Sequence, residues 1–205
     1  MTKPPLAEAN LGCASTREIV TRRLARAVEA TALLSTQSAL LESVCALACE
    51  TLARGGLIAT AGNGGSAAEA LHLAEELVGR YERNRAPLRA VCLSADATAM
   101  SCIANDFGFE HVFSRSAAAV LREGDLLVLF STSGNSENLL HAARAAHSRG
   151  ARVLGILGKG GGKLLPLCDT SIVVGGTDSA MIQEAHQIIM HAVCEACDQL
   201  ALTSV

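Results

Sequence analysis

Five short apolar runs, Leu57 to Ala61, Ala90 to Leu93, Leu126 to Phe130, Arg152 to Leu157 and Ser171 to Val174, are separated by amphipathic or Ala-rich segments of helical length. Uninterrupted apolar strands between helices belong to parallel sheets covered on both faces, because each crossover lays a helix over the sheet. The pattern predicts a three-layer α/β fold with a five-stranded parallel sheet. Ahead of it, Arg17 to Ala53 is rich in Ala, Leu, Arg and Glu and contains neither Gly nor Pro, which predicts an N-terminal helical arm of two helices, or one broken near Thr36, ended by Gly55 and Gly56. The 205 residues are within the range of a single domain, read as an arm over 1–54 and an α/β core over 55–205.

Composition removes several functional classes. Half of the residues are hydrophobic and only 18% are charged, so the chain must fold and pack rather than stay disordered. Four Phe, one Tyr and no Trp leave almost no stacking platform for single-stranded nucleic acid, and a net charge of −3 provides no phosphate-backbone footprint. No apolar run approaches the ~20 residues that span a bilayer, and Met1 to Leu11 carries two prolines and no signal-like apolar core. A cytoplasmic protein without nucleic-acid or membrane partners is expected. Most of the eight cysteines (Cys45, Cys49, Cys92, Cys102, Cys194 and Cys197) lie in apolar stretches and read as reduced thiols; Cys194 and Cys197 form a CxxC on a helical pattern, read as core rather than zinc-binding.

In parallel α/β sheets ligands collect where strands end and helices begin, since helix N-termini leave N–H groups unsatisfied. The first strand leads into Gly62-Asn63-Gly64-Gly65-Ser66-Ala67, a formal match to the dinucleotide fingerprint. The acidic residue expected about 20 positions later is missing, because Asp96 follows the second strand more than thirty positions on, so no nucleotide cofactor is expected. A turn admitting an anion or polyol, with Ser66 as N-cap, and a plain structural turn both remain open. The third strand ends in Ser131-Thr132-Ser133-Gly134-Asn135-Ser136, whose hydroxyls at a helix start suit a phosphate monoester; Ser136 serving only as a helix cap is the alternative.

Two helical segments carry acid–base candidates. On a helical wheel over Ser66 to Arg80, Ala67, Ala70, Leu71, Ala74, Leu77 and Val78 form the sheet-facing stripe, leaving Glu69, His72, Glu76 and Arg80 opposite. His72 and Glu76, at i and i+4, can share a metal or a substrate hydroxyl, or simply form a solvated face. In the last helix Ile182, Ala185, Ile189, Ala192, Val193, Ala196 and Leu200 make the buried stripe, with Gln183, Gln187 and His191 off it.

AGNGGSAAEALHLAEELVGRY, IANDFGFEHVFSR, LFSTSGNSENL and MIQEAHQIIMH, in this order and spacing, resemble the phosphoheptose isomerases of the sugar-isomerase (SIS) family. The resemblance runs from about Arg17 to the C-terminus. It implies a flavodoxin-like SIS fold, a homotetramer, and conversion of sedoheptulose 7-phosphate to D-glycero-D-manno-heptose 7-phosphate. It further implies that Glu76 is the catalytic base and His191 the second acid–base group. His72, Glu76, Gln183 and His191 correspond to the set that holds one zinc ion per subunit in some members. Phosphate contacts map to Ser131, Thr132, Ser133 and Ser136, and other substrate contacts to Asn63, Gly64, Gly65, Ser66, Glu76, Arg80, Asn105, Asp106 and Gln183. One position departs from the family pattern: Met181 stands where a basic residue usually precedes the IQE triplet. Two alternatives stand beside this expectation. A non-catalytic SIS adaptor binding a sugar phosphate or a protein is disfavoured by the Glu76 carboxylate. An isomerase for a smaller sugar phosphate would share the fold but not the NDFGF and HxxxE combination.

Both candidate faces point away from the stripes assigned to the core, and Gln183 and His191 are separated by eight residues, about 12 Å along a helix. Active sites at subunit interfaces are therefore expected.

Overall fold

In a computed structural model that describes residues 14–202, the apolar runs pair as one parallel sheet of five strands. They are β1 (Ile58–Gly62), β2 (Ala90–Cys92), β3 (Leu126–Ser131), β4 (Arg152–Gly158) and β5 (Thr170–Val174), in the order β2-β1-β3-β4-β5. The strand reversal between β2 and β3 on either side of β1 is that of flavodoxin-like sheets. The Met1 to Leu11 leader and the Leu200 side chain lie outside what is described.

Strand periodicity divides the core in two. Leu126, Val128 and Phe130 point to one face, where they join Ile58, Leu154, Ile156 and Ile172 under α2 (Ser38–Ala53), α3 (Gly65–Val78) and α7 (Ser179–Leu202). Leu127 and Leu129 point to the other, packed with Val153 and Leu157 under α5 (Val112–Val120) and α6 (Glu137–Ser148). The short α4 (Ala97–Phe107) flanks that second layer through Met100, Ile103 and Ala104.

The arm is two helices, α1 (Thr16–Ser35) and α2, bent by 77° across Thr36–Gln37. A Ser15/Glu18 capping box starts α1, satisfying two otherwise orphaned groups. Arg23 pairs with Asp178 at 3.0 Å and also with Glu184, which ties α1 to the start of α7. Among the described residues no single helix is long and apolar enough to cross a membrane.

Several wheel assignments are corrected. In α3 the buried side is Ser66, Glu69, Ala70, Leu73, Ala74 and Leu77, whereas Leu71 and Val78 are 46% and 49% exposed. The reason is tertiary: α3 is wedged between the sheet and α7, so its buried arc is turned toward the junction of the two. In α7 the buried arc includes Met190, Cys194 and Cys197, while Ala192 and Ala196 are only half-buried. Cys194 and Cys197 lie in the core, with the Cys197 Sγ 4.0 Å from that of Cys49. Cys102 is exposed rather than core.

Candidate active site

The β1–α3 and β3–α6 turns meet at the carboxyl edge of the sheet. Gly64, not Ser66, is the N-cap of α3; Ser66 is buried in the first turn. Asn63 and Asn138 exchange two amide hydrogen bonds, 3.0 and 2.9 Å, which clamp the first turn to α6. Gly134 has φ +63°, and a side chain there would strike the Gly161 carbonyl, so the hydroxyl-rich turn lies flat against the loop after β4.

Between these turns is a cavity of about 80 Å³ lined by Asn63, Ser66, Phe130, Ser131, Thr132, Ser133, Ser136, Leu139 and Gln183. Its polar donors are not equivalent. Ser131 Oγ accepts from the Gly134 N–H at 3.0 Å and Ser133 Oγ from the Asn135 N–H at 3.2 Å, so both help to build the turn. Ser136 occupies the N-cap position of α6 but its side chain makes no capping bond, which leaves the hydroxyl free beside the unsatisfied first N–H groups of that helix. A small, neutral, donor-rich recess on a helix N-terminus is suited to a phosphate monoester. A wider cavity of about 760 Å³ opens beside it over Asn63, Gly64, Phe109, Glu110, Ser136, Glu137, Asn138 and His141, and gives it a route to the surface.

The acid–base residues gather farther along α3 and α7. These helices lie side by side: Gly65 is so tightly covered by Gln183 that a Cβ would collide with the amide, and farther on Gln187 meets His72. His72 Nε2 is 3.3 Å from Glu76 Oε1 and 3.8 Å from Glu75 Oε1. The His191 ring meets that of His72 edge-on at 5.4 Å between centroids and stacks on Tyr81 at 5.5 Å. Burial, with the Glu195 and Glu82 carboxylates nearby, raises the Tyr81 phenol above its ordinary value.

Not every expected site residue joins these two centres. Within one chain Gln183 belongs to the phosphate-sized cavity and not to the His72 cluster; eight residues of helix separate it from His191, so a single subunit does not bring both to one ion. The close set of ligand-type atoms is instead His72, Glu75 and Glu76, all within 4.8 Å of one another, with His191 alongside. Arg80 is exposed just beyond the end of α3. Asn105 and Asp106 are exposed on α4, where the Asn105 amide donates to Asp106 Oδ1 at 2.8 Å, and they line neither cavity. Met181 is buried in the core and presents nothing to the site.

Glu75, Tyr81 and Asn138 were not among the expected site residues, although all three sit inside the quoted motifs; Gln187 was placed off the buried stripe of the last helix with Gln183 and His191, one turn from each, but was given no role.

Comparison with known proteins agrees with this fold. The SIS domain family model matches residues 21–158. A phosphoheptose isomerase from Campylobacter concisus is 48% identical over 159 residues, 78% of this chain and 84% of that protein. One from Rhodospirillum rubrum is 46% identical over 144 residues, 70% of this chain and 77% of that protein. The structure of phosphoheptose isomerase from Neisseria gonorrhoeae superposes with a TM-score of 0.83 at 36% identity, covering 90% of this chain and all of that one. With a five-stranded parallel sheet, a hydroxyl-lined cavity at its carboxyl edge and this degree of likeness, the chain belongs to the phosphoheptose isomerases of the SIS family.

Proposed function

We propose that the protein interconverts sedoheptulose 7-phosphate and D-glycero-D-manno-heptose 7-phosphate, as a cytoplasmic homotetramer with active sites at its subunit interfaces. The observation that carries this reading is the pairing of a small hydroxyl-lined recess with a separate His/Glu cluster on the same two helices. A seven-carbon phosphate has its reacting carbons, C1 and C2, at the opposite end from its phosphorus, so a site for it needs two centres set apart.

The chemistry follows from the groups present. Moving a carbonyl between C2 and C1 transfers one proton between those carbons through a cis-enediol, and one carboxylate can remove and return it. Glu76 takes that step in this reading, which is supported by its Oε1 lying beside His72 Nε2. His191, oriented by stacking on Tyr81, carries the hydroxyl proton between O1 and O2. The Ser131–Ser136 turn and Gln183 hold the phosphate end, and Asn63, Gly64 and Ser66 border the chain of hydroxyls, whereas Gly65 lines neither cavity and lies under Gln183.

His72, Glu75 and Glu76 fit a divalent cation, because imidazole nitrogen with carboxylate oxygen is a donor set that zinc accepts. Zinc bound there would polarise the sugar carbonyl. The assembly is supported by what surrounds the cluster: Leu71, Val78 and Ile188 are exposed apolar side chains on the same two helices, and α1 exposes Leu24 and Val28 beside a groove of about 530 Å³. A groove lined by exposed apolar side chains, as on α1, is the kind of surface a partner covers.

Incubating the purified protein with sedoheptulose 7-phosphate and identifying the product sugar by NMR tests the reaction; no conversion would overturn it. Light scattering tests the assembly, where a fully active monomer would contradict interfacial sites. Ser136→Ala should raise KM by about ten- to a hundredfold with stability unchanged, since a hydrogen bond to a charged group is worth roughly 1.5–3 kcal/mol. Ser133→Ala should lose a similar amount and also some stability, because its hydroxyl supports the turn. Sedoheptulose lacking its phosphate should bind the wild type poorly and the two variants equally poorly; equal affinity with and without phosphate would remove this recess from its role.

A further inference from the structure

Gln187 is assigned no role by the family motifs, yet its amide makes the closest polar contact to the acid–base cluster. It sits half-buried on α7, and its Nε2 donates to His72 Nδ1 across 2.5 Å, joining residues 115 positions apart. The other ring nitrogen, Nε2, faces Glu76 and Glu75. A neutral imidazole has one N–H and one lone pair, so a partner on one nitrogen decides what the other can do. With the Gln187 N–H pointing at Nδ1, the ring proton resides on Nε2 and points at the Glu76 carboxylate. Turning the amide about its terminal bond presents Oε1 instead. Nδ1 then carries the proton and donates it to Gln187, and the Nε2 lone pair is released toward the two carboxylates.

We propose that Gln187 is a positioning residue that switches His72 between two tautomers: a proton donor to Glu76 when no cation is bound, and a nitrogen ligand when one is. An amide is the side chain suited to this, because the two ends of its head group have opposite hydrogen-bonding character and similar shape. Neighbouring groups allow the switch. The opposite edge of His72 is open to Glu75 and Glu76, and His191 meets its ring edge-on without competing for Nδ1. The inference rests on reading the His72 cluster as a cation site, and its test separates the two.

The experiment compares the wild type with Gln187→Leu and Gln187→Glu. Zinc affinity is measured by calorimetry, and the His72 tautomer by ¹⁵N NMR in the metal-free and zinc-loaded wild type. The metal-free ring should carry its proton on Nε2 and the loaded ring on Nδ1. Gln187→Leu, which leaves Nδ1–H without an acceptor, should weaken zinc about 10–100-fold, the usual effect of losing an outer-shell partner. Gln187→Glu retains an acceptor and should bind zinc close to wild type; this rescue separates hydrogen bonding from packing and requires only that one variant fold. Wild-type protein that binds zinc without a change of tautomer, or a Gln187→Leu variant that binds it as tightly as wild type, would overturn the role of Gln187 alone. Wild-type protein that isomerises sugar but binds no zinc would overturn the cation site and the switch together, leaving the isomerase reading intact.

Discussion

Glu76→Gln should reduce turnover by about 10²–10⁴-fold, the range expected when a positioned general base is removed, while KM changes little. The substitution is nearly isosteric, the Glu76 side chain is not part of the apolar core, and its hydrogen bond is to His72 on the same helix, so an amide can occupy the same space without unfolding α3. Thermal midpoints of the two proteins should agree. Solvent deuterium supplies the mechanistic readout: the wild type should exchange label into the product at the carbon that receives the proton, and Glu76→Gln should neither turn over nor exchange. Glu76→Asp retains the charge but withdraws it by one methylene, and should recover part of the activity. Turnover of Glu76→Gln within about tenfold of wild type would remove Glu76 as the base, because that loss is smaller than a positioned base contributes. The outcome also separates an enzyme from a binding protein of the same fold, which would be indifferent to the loss of this carboxylate.

Legibility of the chain followed the range of the interactions. β3 begins at Leu126 and β4 at Arg152, as the apolar runs indicated, because a strand buried on both faces leaves a continuous local signature. The hydroxyl turn after β3 was equally plain, since a turn and the groups it presents occupy the same six residues. The orientation of α3 was not, because two neighbours cover it and hydropathy alone favoured Leu71 over Leu73. Glu69 illustrates the point: it counted as an outward polar residue, yet it is buried with its Oε2 3.5 Å from His186 Nδ1, a partner 117 positions away by number. The Gln187–His72 contact was invisible for the same reason, since sequence spacing along one helix says nothing about which helix lies beside it. The motifs thus mark the two halves of the site, and only the packing of α3 against α7 shows that Gln183 serves one half while Gln187 and His191 serve the other.

That packing is secured by a buried ion pair, and Asp198→Asn should therefore destabilise the protein by about 3–5 kcal/mol, the usual cost of removing one partner of such a pair. Asp198 on α7 accepts from Arg85 Nε at 2.6 Å and from the Glu82 and Arg83 N–H groups at 2.9 and 3.1 Å. Arg85 in turn donates to the Glu76 and Leu77 carbonyls at 2.8 and 2.9 Å, closing the C-terminal end of α3. The two side chains are only 2% and 3% exposed, so water cannot replace either partner. One ion pair thereby fixes the backbone of Glu76 to the helix that carries His191. Burial alone would push the Asp198 carboxyl up, but Arg85 and the two N–H groups more than reverse this and hold it below the ordinary carboxylate range. The sign follows from that direction: a carboxylate with a depressed folded-state value stabilises the fold above its unfolded value near 3.9, and the contribution is lost as pH falls below it. Wild-type stability should hold from neutrality to about pH 5 and decline below about pH 4, whereas Asp198→Asn should start lower and lack that component of the decline. At neutral pH the thermal midpoint should drop by roughly 6–20 °C, at about 2–4 °C per kcal/mol for a chain of this size. Replacing both partners by apolar residues, Arg85→Met with Asp198→Leu, should recover only part of the stability and none of the activity, because the Glu82 and Arg83 N–H groups would lose their acceptor and the Glu76 and Leu77 carbonyls the donors that hold them. A loss below about 1 kcal/mol for Asp198→Asn, or a double variant with wild-type turnover, would show that the pair anchors neither the fold nor the site.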